Sequence, residues 1–215
     1  MEVLKQRILA EGKNLGRGIL KIDSFLNHRL DAGLMVAMGE EIARRFADDR
    51  VTVILTAEVS GIAPALTAGY ALGVPVVYAR KHKPITMKEP VYIETAPSHT
   101  KGGEVHLMVS PEFIHETDRI LIVDDFLASG KTLHALARIV QHAGAELVGI
   151  ACVVEKTFEG GRAFLADLNV RIEALATIVS LENGGIQFAD SAPTGAPTGA
   201  PTARAVADST DGRLA

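Results

Sequence analysis

Cysteine, aromatic residues and excess positive charge are scarce in this chain of 215 residues. Its single thiol, Cys152, excludes an intramolecular disulfide, and the apolar residues around it indicate a buried, unreactive side chain. The net charge of -4 disfavours a general binder of nucleic acid or of anionic membranes. Charged and apolar residues alternate at the N-terminus, which is typical neither of a signal peptide nor of a membrane span. A cytoplasmic protein is therefore expected.

Small and branched aliphatic residues supply most of the hydrophobic fraction of 47%, as is usual where helices cover a parallel sheet. Hydrophobic periodicity predicts two kinds of element in alternation. The predicted helices are 2–11, 33–47, 62–72 and 133–142, and the predicted strands are 51–55, 74–79, 120–123 and 147–154. Successive strand–helix–strand units of this length predict an α/β fold, with a mostly parallel sheet flanked by helices.

Two segments break this pattern. Residues 81–103 are punctuated by proline and glycine, which predicts an irregular insert that is either a lid or disordered. From residue 190 onward the chain nearly repeats Ala-Pro-Thr-Gly and has almost nothing to bury. We therefore expect one domain over 1–189 and a disordered tail over 190–215.

Removal of the tail from Ser191 onward is expected to change neither stability nor catalysis, because the segment has no apolar period with which to dock. Thermal melting and steady-state activity of the truncated and full-length proteins check this expectation. A clear drop in melting temperature on truncation would show that the tail packs on the domain.

The segment ILIVDDFLASGKT, residues 120–132, carries the clearest chemical signal. An apolar strand brings Asp124 and Asp125 to its carboxyl end, and a loop of small residues then leads into a helix. Backbone N–H groups at a helix start form an anion site, and the neighbouring carboxylates can accept hydrogen bonds from sugar hydroxyls. An isolated Asp-Asp pair is more often a solvated turn, so the prediction depends on the whole string. The predicted phosphate-binding residues are Ala128, Ser129, Gly130, Lys131 and Thr132.

The string resembles the motif with which type I phosphoribosyltransferases bind phosphoribosyl pyrophosphate (PRPP). This resemblance implies the type I fold, with a small hood built from about 1–30 and 170–189, and transfer of ribose phosphate to a purine base. It also implies that Asp124 and Asp125 are catalytic, and that Mg²⁺ arrives with PRPP and has few direct protein ligands. Some bacterial regulators sense PRPP with the same fold. They add a DNA-binding domain and a basic surface, for which the N-terminal helix is too short and the charge too acidic.

Two shorter segments match the same family. One resembles the family's pyrophosphate loop, although a Ser-Gly before a helix is by itself ordinary capping; its residues are Glu58, Val59, Ser60 and Gly61. The other is Arg80-Lys81, which alone would be a solvated edge. In similar enzymes such a pair reaches the pyrophosphate, often in a neighbouring subunit. The resemblance therefore implies a homodimer.

The expected choice of base follows from one position that departs from the family's pattern and from three segments that match one of its types. Hypoxanthine–guanine-type members carry an aspartate where this chain has Ala128. This departure favours the adenine-type and xanthine-type enzymes, and it leaves the acceptor of the purine proton unidentified. The segments 19–28, 75–83 and 153–162 resemble the xanthine-type members. That resemblance implies that xanthine contacts Leu20, Asn27 and Lys156. By local sequence alone Leu20 is more readily explained as core, Asn27 could cap a turn, and Lys156 could be a solvated lysine. An adenine-specific enzyme is the alternative.

Overall fold

The computed structural model describes residues 1–87, 89–97 and 103–189. Its α-helices are α1 (Glu2–Glu11), α2 (Ala32–Arg45), α3 (Ile62–Leu72), α4 (Lys131–His142) and α5 (Gly161–Phe164). Its strands are β1 (Lys13–Asn14), β2 (Leu20–Lys21), β3 (Val53–Ala57), β4 (Val76–Ala79), β5 (Tyr92–Pro97), β6 (Glu104–Val109), β7 (Arg119–Leu127), β8 (Glu146–Lys156), β9 (Arg171–Ser180) and β10 (Gln187–Phe188). The tail predicted over 190–215 lies outside the described residues.

Six strands form the central sheet in the order β10-β9-β8-β7-β3-β4. Neighbours from β9 to β4 run parallel, and only β10 is antiparallel to its neighbour. The predicted α/β class with a mostly parallel sheet is confirmed. The order also places β3 directly beside β7, so that the chain segments following these two strands lie at the same edge of the sheet.

Alternate side chains of β7 pack against different helices. Leu121 and Val123 face a core made with α1, α2 and α3, whereas Ile120 and Ile122 face a second core made with α4 and the β5–β6 hairpin. All four of these side chains are fully buried. Burying one aliphatic side chain of this size contributes about 1.5–3 kcal/mol, so both faces of the sheet hold the strand in its register. No helix among the described residues is long and apolar enough to cross a membrane.

The strand predicted over 120–123 is longer in the structure, where it is β7. β7 continues to Leu127 because β8 runs beside it, with Phe126 paired to Val154 and Leu127 to Glu155. Asp124 and Asp125 therefore lie within the last part of the strand and not after its end. Pairing with β8, in which Asp124 lies opposite Cys152, holds this part of the strand more firmly than a loop would.

Two other predictions also require correction. The insert 81–103 contains β5, whose antiparallel pairing with β6 gives it regular structure despite the prolines around it. Residues 98–102 of this insert lie outside the described residues. Most of the segment assigned to the hood after residue 170 is β9, which pairs with β8 in the central sheet and buries Leu175 and Ile178. A burial pattern alone could not show which partner strand each segment would find.

The N-terminal part of the hood is the antiparallel pair β1–β2 with the turn that joins it. Its contact with the chain beyond β9 is made by Asn14, whose side-chain amide donates to the carbonyl oxygens of Leu181 at 2.7 Å and Gly185 at 2.8 Å. A π-helical turn, Asp23–Asn27, then leads toward α2. Together these segments, 13–27 and 181–185, cover one end of the sheet, and they are called the hood below.

Candidate active site

A cavity of about 1280 Å³ lies at the carboxyl ends of β7 and β8, beneath the hood. In parallel α/β sheets this is the edge where ligands bind. The structure brings ten of the predicted site residues to its wall. They are Leu20, Asn27, Ser60, Asp124, Asp125, Ala128, Ser129, Gly130, Thr132 and Lys156.

The acid pair is held by short hydrogen bonds. Asp124 is only 7% exposed, and its Oδ1 accepts the backbone N–H of Asp125 at 3.0 Å. Burial, reinforced by the charge of Asp125, raises the pKa of Asp124 well above its usual value. Asp125 accepts the N–H of Phe126 at 3.0 Å through Oδ1 and the side-chain amide of Asn27 at 2.6 Å through Oδ2. The two carboxyl groups therefore differ: one is desolvated, and the other is tied to the hood.

The loop between β7 and α4 requires glycine at its turning point. Gly130 has φ of 79°, and a Cβ there would lie 2.8 Å from the carbonyl oxygen of Gly161. The first turn of α4 begins immediately after it, so free N–H groups and the positive end of the helix dipole lie at the cavity wall. Ser129 and Thr132 lie on the same wall. This arrangement suits a phosphate group.

The start of α3 comes very close to the acid pair. A Cβ at Gly61 would lie 2.6 Å from Oδ1 of Asp124 and 2.3 Å from Oγ1 of Thr56, so no other residue fits there without displacement. Ser60 lines the cavity beside it. The segment that follows β3 thus joins the site at the side opposite the hood.

Six predicted site residues do not line the cavity: Glu58, Val59, Gly61, Arg80, Lys81 and Lys131. Glu58 instead accepts the backbone N–H of Lys81 at 2.6 Å and forms an ion pair with Nε of Arg80 at 3.1 Å. Val59 and Lys131 are exposed. Arg80 lines a separate groove of about 740 Å³ beside the edge strand β4. The Lys81 charge nevertheless acts on Asp124, where it opposes the larger effects of burial and of Asp125 on that pKa.

The half of the cavity under the hood holds the Lys156 cation among apolar and aromatic groups, and Arg17 of the turn between β1 and β2 also lies on its wall. The Lys156 ammonium donates to the carbonyl oxygen of Gly18 at 3.0 Å and lies 5.7 Å from the centre of the Phe126 ring. Leu20 and Phe158 are also on this wall. A flat ring with polar substituents matches such a surface.

Sequence reasoning missed several residues of this half: Gly18, Asp23, Phe126, Phe158 and Glu159 all line the cavity. Phe126 lies within the string 120–132, directly after the acid pair, and strand alternation could have indicated its side. Phe158 and Glu159 follow Lys156 in a segment already singled out. Gly18 had no local signal, because its contact with Lys156 joins residues far apart in the chain.

The described residues include no group of three or more His, Cys, Asp or Glu side chains able to hold a metal ion. At the phosphate end of the cavity the available carboxylates are Asp124 and Asp125. Two carboxylates suit a cation that arrives with phosphate oxygens and water as its other ligands, as Mg²⁺ commonly does.

Comparisons with known proteins agree with this geometry. The sequence profile of the phosphoribosyl transferase domain matches residues 28–163. The chain is 51% identical over 185 residues to a protein of Deinococcus deserti named xanthine phosphoribosyltransferase, covering 86% of this chain and 96% of that one. A protein of the same name from Latilactobacillus sakei is 46% identical over 190 residues, covering 88% of this chain and 97% of that one.

Among solved structures, the adenine phosphoribosyltransferase of Thermoanaerobacter pseudethanolicus is similar with a TM-score of 0.60 and 27% identity, covering 68% of this chain and 82% of that one. The adenine phosphoribosyltransferase of Rhodothermus marinus has a TM-score of 0.66 at 24% identity, covering 82% of this chain and 97% of that one. At that identity the second likeness shows the fold alone.

Proposed function

Because this chain belongs to the phosphoribosyltransferase family, we propose that its cavity joins xanthine to the ribose of PRPP, forming xanthosine 5′-monophosphate and pyrophosphate. This is a purine-salvage reaction. The observation that carries the proposal is a single cavity with a phosphate-binding loop and an acid pair at one end and the Lys156 cation at the other. Ribose phosphate fits the first end, and an oxygen-rich base fits the second.

The phosphate end positions PRPP. The 5′-phosphate binds the N–H groups of the loop Ala128–Thr132 and the start of α4. Asp124 and Asp125 accept hydrogen bonds from the 2′- and 3′-hydroxyls of the ribose. As the bond between C1′ and pyrophosphate breaks, positive charge develops on the sugar, and the fixed carboxylates stabilise it. A purine nitrogen then forms the new bond to C1′, and the proton that this nitrogen loses passes to the departing pyrophosphate or to water. Ala128 has no titratable group, so no side chain at that position takes the purine proton.

Mg²⁺ bound with PRPP would neutralise the negative charge of the leaving pyrophosphate. Asp124 and Asp125 are the residues that would contact it, together with the ribose hydroxyls. Ser60 and the N–H groups near Gly61 would bind the pyrophosphate itself.

The hood end selects the base. Lys156 donates to the oxygen at C2 of xanthine, which guanine replaces by an amine and hypoxanthine by a hydrogen. Asn27 supplies both a donor and an acceptor, and its amide N–H also donates to Asp125. Leu20 and Phe126 provide apolar contact with the ring. A site built to bond a polar substituent rejects analogues that leave its own groups unpaired.

Product formation from PRPP with xanthine, guanine, hypoxanthine, adenine and uracil tests the proposal directly. Xanthine is expected to be the best substrate, guanine and hypoxanthine poor ones, and adenine inactive. A preference for adenine would support the alternative that the likeness to adenine phosphoribosyltransferase structures raises. Turnover of no base, with tight binding of PRPP and of DNA, would support a PRPP-sensing regulator, and a salt titration would measure that DNA binding.

A homodimer is part of the proposal. Its support is the outer face of α3, where Leu66 is 60% exposed and Tyr70 is 88% exposed. Large apolar side chains grouped on one helix face are typical of a contact surface. The groove beside β4, which Arg80 lines, lies at the open edge of the central sheet. A cytoplasmic location also stays a prediction.

Lys81→Ala is expected to raise KM for PRPP about tenfold, because the lost cation no longer attracts the pyrophosphate. Steady-state kinetics with PRPP varied measure this effect, and Lys13→Ala, on the short strand β1, is the matched control. Light scattering gives the oligomeric state of the same samples. A fully active monomer would defeat the dimer, and an unchanged KM would remove Lys81 from the site.

A further inference from the structure

The Lys156 ammonium makes three contacts within the protein. It donates to the carbonyl oxygen of Gly18, lies over the Phe126 ring and forms an ion pair with Oε1 of Glu159. The Lys156 side chain is 13% exposed and that of Glu159 is 28% exposed, so the pair is partly shielded from water. An ion pair in such surroundings is screened less than one on an open surface.

Glu159 is brought to Lys156 by the local fold. It ends the 3₁₀ turn Thr157–Glu159, which follows directly on β8 and closes at Gly160 with φ of 73°. A Cβ atom added at Gly18 would lie 3.2 Å from the Phe158 ring and 3.9 Å from Oε1 of Glu159, so the two segments are in close contact here. The hood turn and the 3₁₀ turn therefore meet around one ammonium and one carboxylate.

Other carboxylates line the same cavity, but within the described part of the chain only Glu159 lies within ion-pair distance of Lys156. Asp23 pairs with Lys21, and Asp125 accepts from Asn27. The Lys156 cation is thus paired with one specific residue, three positions along the chain.

We propose that Glu159 sets the choice between xanthine and guanine, an inference that rests on the proposed function, in which Lys156 reads the C2 substituent. A base entering the pocket meets a donor and an acceptor side by side. The C2 oxygen of xanthine needs the Lys156 donor, and the acidity of xanthine makes its anion a poor neighbour for a second negative charge. The C2 amine of guanine is a donor, for which the Glu159 carboxylate is the matching acceptor. Glu159 therefore favours the binding of guanine and disfavours the binding of xanthine.

Glu159→Gln tests this assignment because it keeps the size of the side chain and removes its charge. The ratio of kcat/KM for xanthine to kcat/KM for guanine is expected to rise about tenfold or more, as one charge-assisted hydrogen bond to guanine is lost and the Lys156 charge is released. The rise should be larger in alkaline than in mildly acidic buffer, because more xanthine is then ionised. Calorimetry should show tighter binding of xanthosine 5′-monophosphate relative to guanosine 5′-monophosphate.

Two further variants separate charge from structure. Glu159→Asp keeps the carboxylate and is expected to keep a ratio near that of the unaltered protein, whereas Glu159→Ala should raise it as Gln does. Glu40→Gln makes the same change of charge on the exposed face of α2 and is the control.

An unchanged ratio of kcat/KM for xanthine to kcat/KM for guanine overturns the proposal. A falling ratio overturns it too, since Glu159 would then only hold Lys156 in place. If the unaltered protein makes no product from xanthine, the proposed function fails and this inference with it. If the unaltered protein does make product from xanthine but the xanthine-to-guanine ratio does not rise in Glu159→Gln, this inference alone fails.

Discussion

Asp124→Asn combined with Asp125→Asn is expected to remove most of the transferase activity while leaving the fold intact. In the proposed mechanism each carboxylate accepts a charge-assisted hydrogen bond from a ribose hydroxyl, and losing one such bond costs about 1.5–3 kcal/mol. The double variant should therefore lose activity by a factor on the order of 100 or more. Steady-state kinetics with PRPP and xanthine measure this loss.

The fold should survive because the native site does not gain stability from the charge on Asp124. Burial raises the pKa of that carboxyl, which means that its ionised form is disfavoured in the folded protein. A raised folded pKa makes stability fall as the pH rises above the ordinary aspartate value, and an asparagine has no such dependence. The melting temperature at neutral pH is thus expected to stay level or rise. Normal turnover by the double variant would show that the acid pair is not catalytic.

Lys156→Ala is expected to reduce activity with xanthine far more than activity with guanine. The variant removes the proposed donor to the C2 oxygen and leaves the Glu159 carboxylate without its Lys156 partner. That unpaired charge repels the xanthine anion but can still accept from the guanine amine. A loss on the order of 100-fold in kcat/KM for xanthine is expected, with a much smaller loss for guanine.

The measurements are kcat/KM for both bases at saturating PRPP and KM for PRPP at saturating base, with Lys13→Ala as a control for the loss of a lysine charge. Equal losses on both bases would mean that Lys156 is structural, holding the hood turn through the carbonyl of Gly18. A change in KM for PRPP alone would place Lys156 outside the base pocket.

The parts of the fold that could be predicted are those whose signals are local. The helix predicted over 62–72 has the same bounds in the structure, because Gly73 ends α3 in the left-handed conformation. The phosphate loop and the acid pair occupy one continuous string, so their proximity needed no knowledge of distant contacts. Strand ends were less accurate, since the partner strand decides where a strand stops. β7 gained residues in this way from β8.

The base pocket could not be built from local signals. Lys156 and Gly18 contribute to one contact from opposite parts of the chain, and Asn27 donates to Asp125 across a similar span. A lysine just past a strand predicts a solvated charge, and only the packing of the hood against the 3₁₀ turn makes Lys156 part of a pocket. The β5–β6 hairpin was missed for a related reason: apolar and polar residue types do not alternate regularly in its first strand, YIETAP, and the regularity of the hairpin comes from pairing.

The position of β3 beside β7 has a consequence for how the domain folds. Their parallel pairing, which sets Val53 against Ile120, encloses α3, β4 and the β5–β6 hairpin in one long loop of chain. Closing such a loop is entropically costly, and non-local parallel contacts form slowly. The segments that follow these two strands meet at the site only once the loop is closed. A ligand that touches both, as PRPP would, therefore binds the completed sheet in preference to partly folded chains and raises the free energy of unfolding of the whole domain.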